Sequence, residues 1–153
     1  HKQWWELDLD ENDHFKVERA ISLTDMTYLK NKPIYALSGG QRQRAFLSLA
    51  LAQDAKTLLL DEPTTFLDLR YQLQFLDLLK RLNHEKELSI ITVIHDLNLA
   101  ARYCDRIAVI KDGELLAIDS PRDVLTQELL KKAFQVETCQ IETPIGLQIC
   151  TIK

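Results

Sequence analysis

Apolar and polar positions along the chain change period several times, and each change marks a predicted element. From Glu11 to Leu23, the residues Phe15, Val17, Ala20, Ile21 and Leu23 recur among charges at helical spacing, which predicts an amphipathic helix ending before Thr24-Asp25. Met26 to Leu29 adds one short helical turn, and Lys30-Asn31-Lys32-Pro33 reads as a loop. Ser38-Gly39-Gly40 then precedes a second helix, residues 41–53, with Ala45, Phe46, Leu47, Leu49, Ala50 and Leu51. It is apolar on most sides and is expected to be largely buried. Beyond it the pattern alternates: strands at 57–60, 89–94 and 106–110, helices at 69–82 and 96–103. This is the α/β signature of a mostly parallel sheet flanked by helices. Leu58-Leu59-Leu60 and Ile90-Ile91-Thr92-Val93-Ile94 are nearly continuous apolar runs, as expected of central parallel strands covered on both faces. Asp112-Gly113 predicts an antiparallel hairpin between 106–110 and 114–118. Ser120 caps a helix starting at Pro121, and Thr126 caps another running to about Phe134, with Glu128 in its first turn. Two last strands, 136–141 and 147–152, flank Pro144-Ile145-Gly146.

Composition narrows the class. At 153 residues, 46% hydrophobic and 27% charged, the chain has the length of one domain and can build a sizeable core. A net charge of -4 and a pI near 5.6 argue against nonspecific nucleic-acid binding, which needs a concentrated basic surface. Cys104, Cys139 and Cys150 are widely spaced with no CxxC pair, so they point to neither a disulfide framework nor a zinc site, and a reducing cytosol fits best. No apolar run approaches the roughly 18 residues of a membrane span, and His1-Lys2-Gln3-Trp4-Trp5 lacks the apolar segment of a signal peptide. An opening without Met leads to the expectation of a piece of a longer protein.

Three places carry candidate chemistry. Asp61-Glu62 follows a buried apolar strand at its carboxyl end, where open α/β sheets place ligands. One carboxylate there can hold Mg²⁺ while the next polarises an attacking water; taken alone, the pair reads equally as surface acids at a strand end. His95 closes the next predicted strand and would face Asp61 and Glu62 if the strands are neighbours. It can bond a γ-phosphate or the attacking water, or simply a nearby backbone group. Ser38-Gly39-Gly40 puts unpaired backbone N–H groups and a hydroxyl at the positive end of a helix dipole, an anion site or a glycine-rich loop capped by Ser38. Asp68 can cap the helix from Leu69. Gln41-Arg42-Gln43-Arg44 complements a phosphate or a partner surface, or is a solvated helix face.

Taken together, Leu37-Ser38-Gly39-Gly40-Gln41, the strand ending Asp61-Glu62-Pro63-Thr64, Leu67-Asp68 and His95 resemble the ATP-binding subunit of ABC transporters, in order and over essentially the whole chain. The resemblance implies a partial ABC-type P-loop NTPase domain. Residues 1–53 would be the later part of the helical signature subdomain. Residues 54–153 would be the carboxyl-terminal part of the ATPase core, ending in a small β/α extension. It implies ATP and Mg²⁺ as cofactors. Ser38, Gly39, Gly40 and Gln41 match the signature loop that contacts ATP on the opposite subunit of a dimer. Asp61 matches the Mg²⁺-associated aspartate, Glu62 the catalytic glutamate, Asp68 the D-loop aspartate that communicates across the dimer, and His95 the switch histidine. The departure is the missing G-x-x-x-x-G-K-[ST] loop: the glycines are Gly39, Gly40, Gly113 and Gly146. The family's adenine-stacking aromatic and its glutamine loop would also lie upstream.

The function implied is ATP hydrolysis at a dimer interface that powers an importer. Residues 61–68, Gln41-Arg42-Gln43-Arg44-Ala45 and the Trp4-Trp5 stretch look most like subunits serving ferric siderophore uptake, with haem or cobalamin as other cargoes. The implied partners are a second nucleotide-binding subunit, transmembrane permease subunits and, indirectly, an extracytoplasmic substrate-binding protein, with no nucleic acid. The implied location is the cytoplasmic face of the cell membrane. A soluble ABC ATPase of DNA repair or translation and a non-catalytic binding module are the alternatives. Without the phosphate loop, the chain by itself is expected to be catalytically incompetent.

Overall fold

The computed structural model describes residues 10–152. Trp4-Trp5 lies outside the described residues, as do the outer ends of the predicted segments 1–53 and 54–153. The chain forms two compact units with the boundary between Val93 and Ile94.

The first unit opens with α1, Glu11–Leu23, as predicted. Its start is set by a reciprocal cap: the Asp10 carboxylate accepts from the Asp13 N–H at 2.7 Å, and the Asp13 carboxylate accepts from the Asp10 N–H at 3.3 Å. A 3₁₀ turn, Thr27–Leu29, and a second, Ile34–Ala36, lead to α2, Gly39–Ala52. Met26, Leu29 and Leu37 form a small core with Ile21 and Ala45. At its edge the buried Thr24 hydroxyl bonds the Ala20 carbonyl at 3.0 Å and meets the Ser48 hydroxyl at 2.5 Å, pinning the end of α1 to α2.

Strand β1, Thr57–Leu60, pairs in parallel with β2, Ser89–Thr92, with Leu58 opposite Ile90 and Leu60 opposite Thr92. Between them runs α3, Leu69–Lys86, which buries Phe75, Leu76, Leu78, Leu79 and Leu82. It extends past the predicted end at Leu82 because residues 83–86 are polar but helix-compatible. It stops where Glu87 takes a left-handed conformation, φ 51°.

Two burial expectations are corrected. In α2 only Leu47 and Ser48 are buried, whereas Phe46 and Leu49 are 52% and 62% exposed. The helix packs on α1 along one side, and an apolar opposite side does not by itself supply a partner. Likewise, among the described residues, β1 and β2 are not covered on both faces. Leu58 is buried, but Leu59 and its cross-strand partner Ile91 are 75% and 61% exposed. The alternation of a strand sends neighbours to opposite faces, and only one face here has cover.

The second unit holds α4 (Leu97–Tyr103), β3 (Ile107–Lys111), β4 (Glu114–Asp119), α5 (Pro121–Val124), α6 (Gln127–Phe134), β5 (Thr138–Thr143) and β6 (Gly146–Thr151). Asp112 and Gly113 both have positive φ, 50° and 81°, as the tight antiparallel β3–β4 hairpin requires. Ser120 and Thr126 cap α5 and α6 through the amides of Asp123 and Leu129. Leu125, Leu130 and Ile149 form the core, with Leu97, Ala101, Ile107 and Leu147 packed around it. Asn98 clamps β6 from α4: its side chain accepts from the Ile149 N–H at 2.6 Å and donates to the Ile149 carbonyl at 3.2 Å. At the surface, a hydrogen bond to the Lys131 ammonium holds the Glu137 carboxyl below its usual range.

The α/β class holds, with short sheets. Among the described residues three two-stranded sheets replace one mostly parallel sheet: β1–β2 is parallel, β3–β4 and β5–β6 antiparallel. No helix among the described residues is long and apolar enough to cross a membrane.

Candidate functional site

Ser38 is the N-cap of α2, so the helix starts at Gly39, two residues before its predicted start. The reason is local. The Gln41 side chain accepts from the Ser38 N–H at 3.0 Å, and the Ser38 hydroxyl accepts from the Gln41 N–H at 3.4 Å. This reciprocal cap leaves the amides of Gly39 and Gly40 as the first two helical donors, which have no carbonyl within the helix to bond. Ser38 is thus both the predicted cap and part of a donor-rich helix end suited to an anion.

The same helix end lies against the start of α3. A Cβ on Gly40 would sit 3.4 Å from Cδ1 of Tyr71, and one on Gly39 would sit 3.8 Å from Cδ2 of Leu67. Asp68 caps α3, its carboxylate accepting from the Tyr71 N–H at 3.2 Å. Residues 38–41 and 67–71, predicted as separate features, are therefore neighbours within one unit.

Asp61 and Glu62 leave β1 at its carboxyl end, as predicted. Asp61 is exposed, and Glu62 takes a left-handed conformation, φ 45°, which is costly for a residue with a side chain. A series of turns holds it. Thr65 donates its hydroxyl to the Glu62 carboxylate at 2.9 Å, and the buried Thr64 carbonyl accepts from the amide of Leu67 and the side chain of Gln72. Among the described residues no three His, Cys, Asp or Glu side chains converge as a metal cage. Mg²⁺ takes one or two carboxylates and otherwise keeps water and phosphate oxygens, a donor set that the exposed Asp61 carboxylate, with Glu62 next in the chain, could contribute to.

His95 falls in the second unit, exposed, directly before Asp96, which caps α4 through the amides of Asn98 and Leu99. Strand β2 ends at Thr92, so His95 stands beyond the strand rather than at its last position.

Sequence reasoning missed one cluster. Arg44 turns back to the end of α1, donating to the Thr24 carbonyl at 3.3 Å and the Asp25 carboxylate at 3.1 Å. Arg81 of α3 donates to the Leu23 carbonyl at 3.0 Å and to the same Asp25 oxygen at 3.2 Å. The last turn of α1 has no basic residue of its own, so its carbonyl end is satisfied by two arginines from elsewhere in the unit. The one available signal was Asp25 just past a helix end, since Asp tolerates the left-handed conformation it adopts, φ 58°.

A family model described as ABC transporter matches residues 2–65. The chain is 43% identical over 150 residues to a petrobactin import ATP-binding protein of Bacillus anthracis, covering 97% of this chain and 55% of that protein. The chain belongs to the ABC transporter ATP-binding family. An iron(3+)-hydroxamate import ATP-binding protein of Bacillus subtilis (strain 168) is 43% identical to this ABC chain over 136 residues, 89% of it and 51% of the relative. A solved ABC transporter, assigned to the metal-chelate type and in an inward-facing conformation, superposes with a TM-score of 0.83 at 26% identity. It covers 94% of this chain and 57% of that one. The ABC chain thus spans about half the length of the curated relatives it matches.

Proposed function

We propose that this chain is the later part of an ATP-binding subunit that powers an ABC importer of iron-siderophore complexes. The observation that carries the reading is the first unit's geometry. A capped, donor-rich helix end at Ser38–Gln41 abuts Leu67 and Tyr71, and Asp61-Glu62 stands at the carboxyl end of β1. The cargo follows the relatives, whose names refer to petrobactin and to iron(3+)-hydroxamate.

In this reading Asp61 holds Mg²⁺, and Glu62, kept in place by the Thr65 hydroxyl, orients and polarises the attacking water. Bound MgATP supplies the phosphoryl group and the cation that neutralises charge on its oxygens. The amides of Gly39 and Gly40 and the Ser38 hydroxyl bind phosphate oxygens presented by a second subunit, and Asp68 lies at that interface. His95 bonds the γ-phosphate. The partners are a second nucleotide-binding subunit and transmembrane permease subunits, at the cytoplasmic face of the membrane.

The test is uptake in cells that depend on the gene for this protein. Glu62→Gln and Ser38→Arg should each abolish iron-siderophore uptake and leave cobalamin uptake intact. Normal iron uptake with both variants, or a defect confined to DNA repair or translation, overturns the proposal.

A further inference from the structure

We infer that Cys139 and Cys150 form a redox-active cross-strand dithiol, closed to a disulfide by exchange with a small-molecule disulfide and reopened by thiols. The two residues are direct partners in the antiparallel β5–β6 register, with Thr138 opposite Thr151 and Gln140 opposite Ile149 on either side. Register sums explain why spacing alone hid the pair. A two-residue turn at Pro144-Ile145, with Thr143 opposite Gly146, necessarily brings Cys139 level with Cys150.

Direct partners project to the same face of a sheet. Here that face is the outer one. Thr138 and Ile149, on the opposite face, are buried, and Gln140 donates from there to the Leu125 carbonyl. Cys139 is half-buried and Cys150 exposed, both as free thiols, so a small disulfide can reach them.

The backbone geometry permits the bond with a small adjustment. The Ile152 N–H donates to the Glu137 carbonyl at 2.8 Å, which makes that facing pair hydrogen-bonded and, by alternation, Cys139–Cys150 hydrogen-bonded too. Such pairs have Cα atoms about 5.5 Å apart, within the range disulfides use. Their Cβ atoms stand about 4.5–5.5 Å apart and must close toward the about 3.5–4.5 Å of a disulfide, so the product is an exposed bond that thiols readily reduce. That is the character of a reversible site rather than a structural staple.

The chemistry balances with glutathione disulfide as oxidant. One cysteine thiolate attacks a glutathione sulfur, the S–S bond breaks, and glutathione thiolate leaves. The second cysteine thiolate then attacks the mixed disulfide at the protein sulfur, expelling a second glutathione. Two protein thiols are oxidised, one glutathione disulfide is reduced to two glutathiones, and the two protons released from the cysteines are taken up by them.

The test uses the whole chain carrying Cys104→Ser, so that only the two thiols in question remain. Incubated with glutathione disulfide, it should lose both titratable thiols and become lighter by two hydrogens as a monomer, with thiols restored by dithiothreitol. Cys139→Ser or Cys150→Ser, in that background, should instead retain one glutathione adduct. Unfolding in urea should slow closure of the pair, because the strand register that opposes the thiols is gone. Two persistent free thiols, one stable glutathione on each cysteine, bonds only between copies, or closure equally fast in urea would each overturn the inference.

Discussion

At the residue scale, Asp25 combines two opposing contributions. Its left-handed backbone costs at most about 1–2 kcal/mol relative to glycine, the upper end being for residues that tolerate this region less well than Asp, while its two arginine contacts are partly exposed ion pairs of the kind worth about 0–1 kcal/mol each. The backbone term and the ion pairs nearly cancel for one substitution, while only the ion pairs change in another. Asp25→Gly, which sheds the strain and the carboxylate together, should therefore change stability by less than about 1 kcal/mol. Asp25→Ala, which keeps the strain and loses the contacts, should cost up to about 2 kcal/mol in urea denaturation. Equal losses for both would mean that the carboxylate, not the backbone, decides. Glu62 shares the left-handed geometry but sits in the candidate site, where such strain is tolerated for position rather than stability.

At the element scale, Asp68 has a capping role that substitution isolates. As the N-cap of α3 it needs only a side-chain acceptor for the Tyr71 amide, which asparagine also provides. Asp68→Asn should leave thermal stability nearly unchanged, and Asp68→Ala should lower it by about 1 kcal/mol. If Asp68→Asn destabilises as much as Asp68→Ala, the negative charge itself holds the helix, contrary to the capping account. Elements of this kind were legible in advance. The caps of α2, α3, α5 and α6 and the Asp112-Gly113 turn are decided by residues within a few positions of one another. The end of α3 was less so, because polar residues 83–86 carry no apolar period to mark it.

At the scale of the whole molecule, the residues proposed for phosphoryl transfer occur in a sequence with no G-x-x-x-x-G-K-[ST] loop to cradle β- and γ-phosphates. Positioning and charge neutralisation supply most of phosphoryl-transfer catalysis, so acidic residues alone do little. The purified chain should hydrolyse MgATP at no more than the background rate in a phosphate-release assay. Turnover that requires Mg²⁺ and disappears with Glu62→Gln would contradict this. The exposed apolar face of Leu59 and Ile91 belongs to the same scale: the strands are apolar enough for cover on both sides, yet among the described residues only one side has it.

The amino-acid sequence by itself determined the periods of the helices and strands, their caps and turns, and the placement of Ser38–Gln41, Asp61-Glu62 and Asp68 at element ends. These depend on backbone geometry and on hydrogen bonds between near neighbours. Only the tertiary structure decided that Gly40 lies against Tyr71, that Asp25 gathers Arg44 and Arg81, that α2 stays half exposed and that Cys139 faces Cys150. Each of these joins residues distant along the chain, and such pairings follow from which faces pack and which strand register closes, not from local preference.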